Sequence, residues 1–235
     1  MTWQPWFGAF VVFREKGLAM NDLEFAALIV SRVCHDLVSP VGAVVNGLEV
    51  LEDEANVPMR ADALRLVRFS ADQAAARLQF ARLAYGAAGP AGAELNLSEV
   101  TRIVEGLVKG GGVELQWQAH PFNWPKDWAK LLMNTILVAA DCLPRGRIVR
   151  VATSPDPALP SFTVAATGSV ARRSAEAERA LLGEPGGGLD ERSIQPYLTY
   201  QLSRGINAGL TSISDEGTVR FVANQAAFSS GSRST

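Results

Sequence analysis

Between about residues 22 and 53, apolar side chains recur at Val30, Val33, Leu37, Val41, Val44, Leu48 and Leu51, in steps of three and four. That spacing is one face of a helix, so the segment predicts a long amphipathic α-helix. Asn56 and Pro58 signal a turn. A second series then runs through Leu64, Val67, Ala71, Ala74, Leu78, Ala81 and Tyr85 at roughly 3.5 residues per step, a coiled-coil spacing whose many small residues predict close antiparallel packing. A two-helix hairpin cannot enclose both apolar stripes by itself. The usual solutions are a four-helix bundle made with another hairpin or cover from another domain, and one hairpin per chain predicts a homodimer.

After a Gly-, Ala- and Pro-rich boundary at 86–92 the pattern changes. Short β-branched or aromatic runs at 113–117, 148–153, 162–166, 210–214 and 218–223 alternate with helical stretches, which predicts an α/β sandwich. Ser98 is a candidate cap for a helix to about residue 109, and Pro125 fits the first position of a helix to about residue 143. Residues 168–193, with glycines at 186–188, read as a lid-like or loop segment, followed by a helix over about 190–206. The predicted layout is thus a disordered extension at 1–20, a hairpin domain at 21–87, a sandwich domain at 93–224, and a disordered Ser-rich tail at 225–235.

Composition narrows the function classes. The chain has 235 residues and a formal net charge of −2, with Lys and Arg interspersed among Asp and Glu, so no basic stripe suited to nucleic acid is present. Cys34 and Cys142 lie in apolar helical runs without disulfide or zinc spacing, which predicts buried, reduced thiols in a cytoplasmic protein. No apolar run approaches the roughly 20 residues of a membrane span. Residues 3–13 are apolar but lack the flanks of a signal sequence, Met20 is a candidate translation start, and Asn21 after it is a candidate helix cap.

Helical geometry places His35 roughly 160° to 200° from Val33 and Leu37, hence facing water. An exposed imidazole titrating near pH 6.5 is largely neutral and nucleophilic in a cell, although a lone surface histidine is more often inert. The surrounding string is more specific: His35-Asp36-Leu37-Val38-Ser39-Pro40-Val41-Gly42-Ala43, then Asn46-Gly47-Leu48-Glu49-Val50-Leu51. It resembles the phosphoacceptor box of two-component histidine kinases, and its Gly-Ala and Asn-Gly-Leu-Glu portions are most similar to the ChpT family of histidine phosphotransferases. The resemblance continues more weakly over 22–223. It implies that His35 is a phosphoacceptor and that Asp36 orients the ring or acts as base, where an ordinary exposed acid is the alternative. Ser39 lies one turn on, able to touch a phosphoryl group or to be an inert surface serine. Pro40 should kink the helix just past the histidine. Arg32, one turn earlier, either attracts phosphate or is a solvated charge.

The second half resembles the ATP-binding (Bergerat) domain of histidine kinases, with Asn134 in Leu131-Leu132-Met133-Asn134 matching its asparagine helix. Val138 stands where a second asparagine would support magnesium, and 162–168 offers no aspartate before its glycine. The glycines at 186–188 are a weak phosphate cradle. These departures predict a degenerate domain with no ATP binding and no metal site of its own. His120 reads as structural, and Trp117, Trp124 and Trp128 as core or domain-packing residues.

The predicted fold is therefore α+β with two domains: a hairpin forming a four-helix bundle in a homodimer, then a degenerate kinase-like sandwich. The resemblance implies a multistep phosphorelay in cell-cycle control. A CckA-like hybrid kinase receiver would supply phosphoryl to His35, CtrA-like and CpdR-like response regulators would accept it, and magnesium would sit on the receiver. Docking is expected at Arg32, Gly42, Val45, Asn46 and Glu49. The competing readings are an ATP-dependent histidine kinase and a non-catalytic dimeric adaptor for response regulators.

Overall fold

The structure, a computed structural model, describes residues 21–86, 92–118, 122–144, 147–184 and 188–225. The expectations for 1–20, for His120, for Gly186 and Gly187, and for the tail after residue 225 lie outside them. The described residues begin with two helices, α1 (Asp22–Glu52) and α2 (Arg60–Ala84), joined by a 3₁₀ turn at Glu54–Met59. Asn21 caps α1 as expected: its side chain accepts from the Glu24 N–H while the Glu24 carboxylate accepts from the Asn21 N–H, a complete capping box. The helix continues through Pro40, whose ring is buried.

The helices pack antiparallel, and Gly47 of α1 lies buried against Val67 and Ala63 of α2. A Cβ there would lie 2.6 Å from Val67 Cγ2 and 3.3 Å from the Ala63 carbonyl, so only glycine permits this separation. The face α1 buries is not the predicted stripe. Pro40 and Gly47 are its buried residues, Val33, Leu37, Val44 and Leu51 are half-buried, and Val30, Val41 and Leu48 stay exposed. On α2, Leu64 and Leu78 are exposed while Phe80 and Ala84 are buried. The periodicity sums two surfaces, one closed within the chain and one left open. By length and composition α1 would also suffice to cross a membrane, which the count of uninterrupted apolar residues did not anticipate because polar side chains punctuate it.

The second domain follows: β1 (Glu94–Asn96), α3 (Leu97–Val108), β2 (Val113–Gln118), β3 (Asn123–Pro125), α4 (Lys126–Asp141), β4 (Arg147–Thr153), β5 (Phe162–Thr167), α5 (Ala175–Leu181), α6 (Ile194–Gly205), β6 (Ala208–Asp215) and β7 (Thr218–Gln225). Five strands form a mixed sheet in the order β2-β4-β5-β7-β6, parallel only between β2 and β4. Val149 and Val151, Phe162, Val164 and Ala166, and Val219, Phe221 and Ala223 turn one face inward beneath the helices. This is the expected α/β sandwich, with three local corrections. Asn96, not Ser98, caps α3, its side chain accepting from the Ser98 N–H. The 168–193 segment contains a helix, α5, capped by Ser174, instead of being only a loop. Strand β7 extends to Gln225, one residue into the expected tail, because its register with β6 runs to an Ala208–Gln225 pair. Beyond the predicted strands, β1 and β3 make a short antiparallel pair centred on Leu95 and the buried Trp124.

The two domains share one core. Phe80 and Ala84 at the end of α2 are buried in the same cluster as Leu97, Val104, Leu131 and Trp128. Cover from the second domain therefore closes one end of the hairpin, one of the two solutions the pattern allowed.

Candidate functional site

The His35 side chain is 65% exposed on α1, as its helical angle predicts. Its Nδ1 lies 3.4 Å from Asp36 Oδ1. A neutral imidazole that places its proton on Nδ1 toward this carboxylate leaves Nε2 with the free lone pair, pointed away from the helix. Asp36 is held in turn, because Arg32 donates from Nε to its Oδ2 at 3.0 Å. The Arg32 side chain is only 17% exposed, and its Nη1 donates to the Glu191 carbonyl at 2.9 Å, just before α6. Arg32 is thus neither a solvated charge nor a free docking cation: the second domain covers it, a long-range contact that local sequence does not display. Burial opposes its charge, but attraction to Asp36 and Asp141 outweighs burial and raises it above the ordinary guanidinium value.

Of the other positions expected to matter, Ser39, Gly42, Asn46 and Glu49 fall within about 40° of His35 around the helix. Ser39, Asn46 and Glu49 are exposed and Gly42 is half-buried. They form one accessible band along α1. Val45, 49% exposed, lies about 80° to the other side and belongs with the open apolar strip of Val30, Val41 and Leu48.

Behind His35, a cavity of about 340 Å³ separates the hairpin from the second domain, lined among others by Arg32, Asp36, Arg77, Tyr85 and Asp141. Asp141 lines this cleft and also a neighbouring cavity beside Cys142 and Arg173. Burial raises its carboxyl above the usual range, with Arg32 pulling it back down and Asp36 adding to the rise. Arg77 Nε is buried there without a hydrogen-bond partner. Tyr85, read from the sequence as a heptad position, instead donates its hydroxyl to Gln195 Oε1 at 2.7 Å. Neither it, Asp141 nor Gln195 carries a local signal that would have marked it.

Gln195 Nε2 donates to Asn134 Oδ1 at 2.6 Å, and Asn134 Nδ2 donates to the Lys130 carbonyl at 2.8 Å. The asparagine that matches the kinase asparagine helix is therefore fully buried and bonded within the protein. Val138 is buried one turn on. Among the described residues, no group of three or more His, Cys, Asp or Glu side chains is arranged to hold a metal ion. Trp124 and Trp128 are core residues packed edge to face, and Trp117 is half-buried. Cys142 is buried as predicted, but Cys34 is exposed, because it lies toward the open side of α1.

Comparison with known proteins places this geometry. Residues 97–218 match the family model of the histidine phosphotransferase C-terminal domain. The chain is 35% identical over 187 residues to the protein phosphotransferase ChpT of Brucella abortus (strain 2308), covering 79% of this chain and 88% of that protein. It also superimposes on a bacterial phosphotransferase of known structure with a TM-score of 0.78 and 31% identity, covering 88% of this chain and 98% of the other.

Proposed function

The chain belongs to the histidine phosphotransferase family, and from that premise we propose that His35 is the residue through which it relays phosphoryl groups between receiver-domain aspartates. The observation that carries this reading is the exposed imidazole with Asp36 at its Nδ1 and Nε2 left open. In the first step Nε2 attacks the phosphorus of a receiver aspartyl phosphate. The new N–P bond forms as the P–O bond to the aspartate breaks, and the carboxylate leaves with that electron pair. Asp36 keeps the Nδ1 proton in place and balances the positive charge that develops on the ring. In the second step an aspartate oxygen of another receiver attacks the phosphorus, and the N–P electrons return to Nε2. Ser39, one turn along, is placed to donate its hydroxyl to a phosphoryl oxygen. Magnesium belongs to the acidic pocket of the receiver, where it neutralises charge during transfer, so this chain supplies no ligand.

The partner surface is the band of Gly42, Asn46 and Glu49 along α1, with Val45 at its edge. By family resemblance the donor is the receiver of a CckA-like hybrid kinase, and the acceptors are CtrA-like and CpdR-like regulators of the cell cycle. The exposed apolar positions Val30, Val41 and Leu48 on α1, with Leu64 and Leu78 on α2, support a homodimer in which two hairpins form a four-helix bundle. Packing of α1 on α2 and its ties to the second domain support a cytoplasmic protein over a membrane-spanning one. The bonds that consume Asn134, and Val138 beside it, support a domain that neither binds ATP nor phosphorylates His35 from it.

A direct test is to incubate the protein with a phosphorylated receiver domain and map the product by mass spectrometry, exploiting the acid lability of phosphohistidine. An acid-labile phosphoryl group on the peptide containing His35 supports the reading. A modification on any other residue rejects it.

A further inference from the structure

Resting on the assignment of His35 above, we propose that Arg32 is a positioning residue for phosphotransfer: it sets the orientation of Asp36 against His35 and couples that orientation to the seat of the second domain. The argument is geometric. Asp36 has two carboxylate oxygens with separate duties, since Oδ2 accepts from Arg32 Nε at 3.0 Å while Oδ1 faces His35 Nδ1 at 3.4 Å. Fixing Oδ2 fixes the plane of the carboxylate, and with it which imidazole nitrogen holds the proton. A guanidinium does this while its other branch is occupied, because Nη1 reaches the Glu191 carbonyl at 2.9 Å.

That carbonyl is itself held. The Asp190 carboxylate accepts from the Arg192 and Ser193 N–H groups at 3.0 and 2.8 Å and from the Ser193 hydroxyl at 2.6 Å, closing the turn that presents Glu191. The α6 segment beyond the turn is tied to both hairpin helices: Phe25 meets Tyr197 edge to face with centroids 6.0 Å apart, and Tyr85 bonds Gln195. A line of contacts therefore runs from the second domain through Arg32 and Asp36 to the phosphoacceptor. Its function in the relay is to hold the acid beside the histidine.

The charges facing Arg32 are Asp36 on α1, Arg77 and Tyr85 on and beside α2, Asp141 at the end of α4, Arg172 and Arg173 before α5, and Arg192 before α6. Without Arg32, Asp36 loses its neutralising partner, and its full negative charge then favours the protonated, non-nucleophilic imidazole.

The test measures His35 phosphorylation at varied concentrations of a phosphorylated receiver domain, from pH 5.5 to 9, for wild type, Arg32→Gln, Arg32→Lys and Asp190→Ala. The proposal predicts that Arg32→Gln lowers the saturating rate about tenfold to a hundredfold. It further predicts a KM near that of wild type, and an acid limb of the pH profile displaced to higher pH. Arg32→Lys should restore the position of the acid limb but only part of the rate, since an ammonium keeps the charge without the fork. Asp190→Ala, which leaves α1 untouched, should slow the saturating rate in the same direction if Arg32→Gln proves too unstable to assay. A raised KM with an unchanged saturating rate and pH profile would make Arg32 a docking contact and overturn the proposal, as would wild-type behaviour throughout. Phosphorylation persisting in His35→Gln would instead overturn the assignment of the acceptor, whatever the Arg32 variants do.

Discussion

Gln195, in the first turn of α6, donates a 2.6 Å hydrogen bond to Asn134, in the middle of α4, and both side chains are fully buried. Gln195 also accepts from Tyr85, so one amide joins the hairpin, α4 and α6. Replacing Gln195 by Ala strips a partner from each neighbour at once. Orphaned buried groups cost about 1–3 kcal/mol each, so urea unfolding of Gln195→Ala should show a loss in that range or above it. Tyr85→Phe, which removes only one bond, should lose less.

Gly47→Ala tests the closeness of the hairpin. The added methyl would meet Val67 Cγ2 and the Ala63 carbonyl, and overpacking of this kind costs about 1–3 kcal/mol even though alanine is the better helix former. A thermal melt showing stabilisation would mean that the helices are further apart than described.

The open strip makes its own prediction. Val41→Glu combined with Leu78→Glu places charge on apolar positions of α1 and α2 that are 50% and 53% exposed and lie outside the buried core. Sedimentation analysis should show dimers in the wild type and monomers in this variant, with the helical content kept. A variant that stays dimeric would move the interface elsewhere.

The cysteines should react very differently with iodoacetamide. Burial pushes the Cys142 thiol up to about 12, with the nearby Asp141 carboxylate adding to the rise. At pH 8 only about one such thiol in ten thousand is ionised. Cys34 is exposed, so it should label first, and Cys142 only once the protein unfolds.

Low pH should loosen the turn before α6. The hydrogen bond from Ser193, with those of the turn's backbone, holds the Asp190 carboxyl below the usual range. A depressed folded value stabilises above the unfolded carboxylate value and is lost as pH falls through the folded one, so the effect should fade below about pH 4. The protection factor of the Ser193 amide, the ratio of its intrinsic to its observed exchange rate, should fall there in wild type and already be lowered at neutral pH in Asp190→Ala.

What local pattern can encode was readable from the sequence: both hairpin helices, the five strands of the main sheet, the Asn21 cap, and His35 on the outward face. The orientation of α1 was not, because apolar periodicity cannot separate residues such as Val33, half-buried within the chain, from Val41, left open. Nor was the setting of Arg32, which looks like a surface charge until Glu191, distant in the chain, arrives beside it. Cys34 was misplaced for the same reason as Val41. Tyr85 and Gln195 carry no motif at all, since their meaning lies wholly in a contact between domains.

The most direct test of the central claim is a phosphotransfer time course without ATP, using a radiolabelled receiver-domain donor and a second receiver as acceptor. With wild type, label should appear on this protein and then on the acceptor, and with His35→Gln on neither. Equal transfer to the acceptor by both proteins would contradict the account and leave His35 a surface residue.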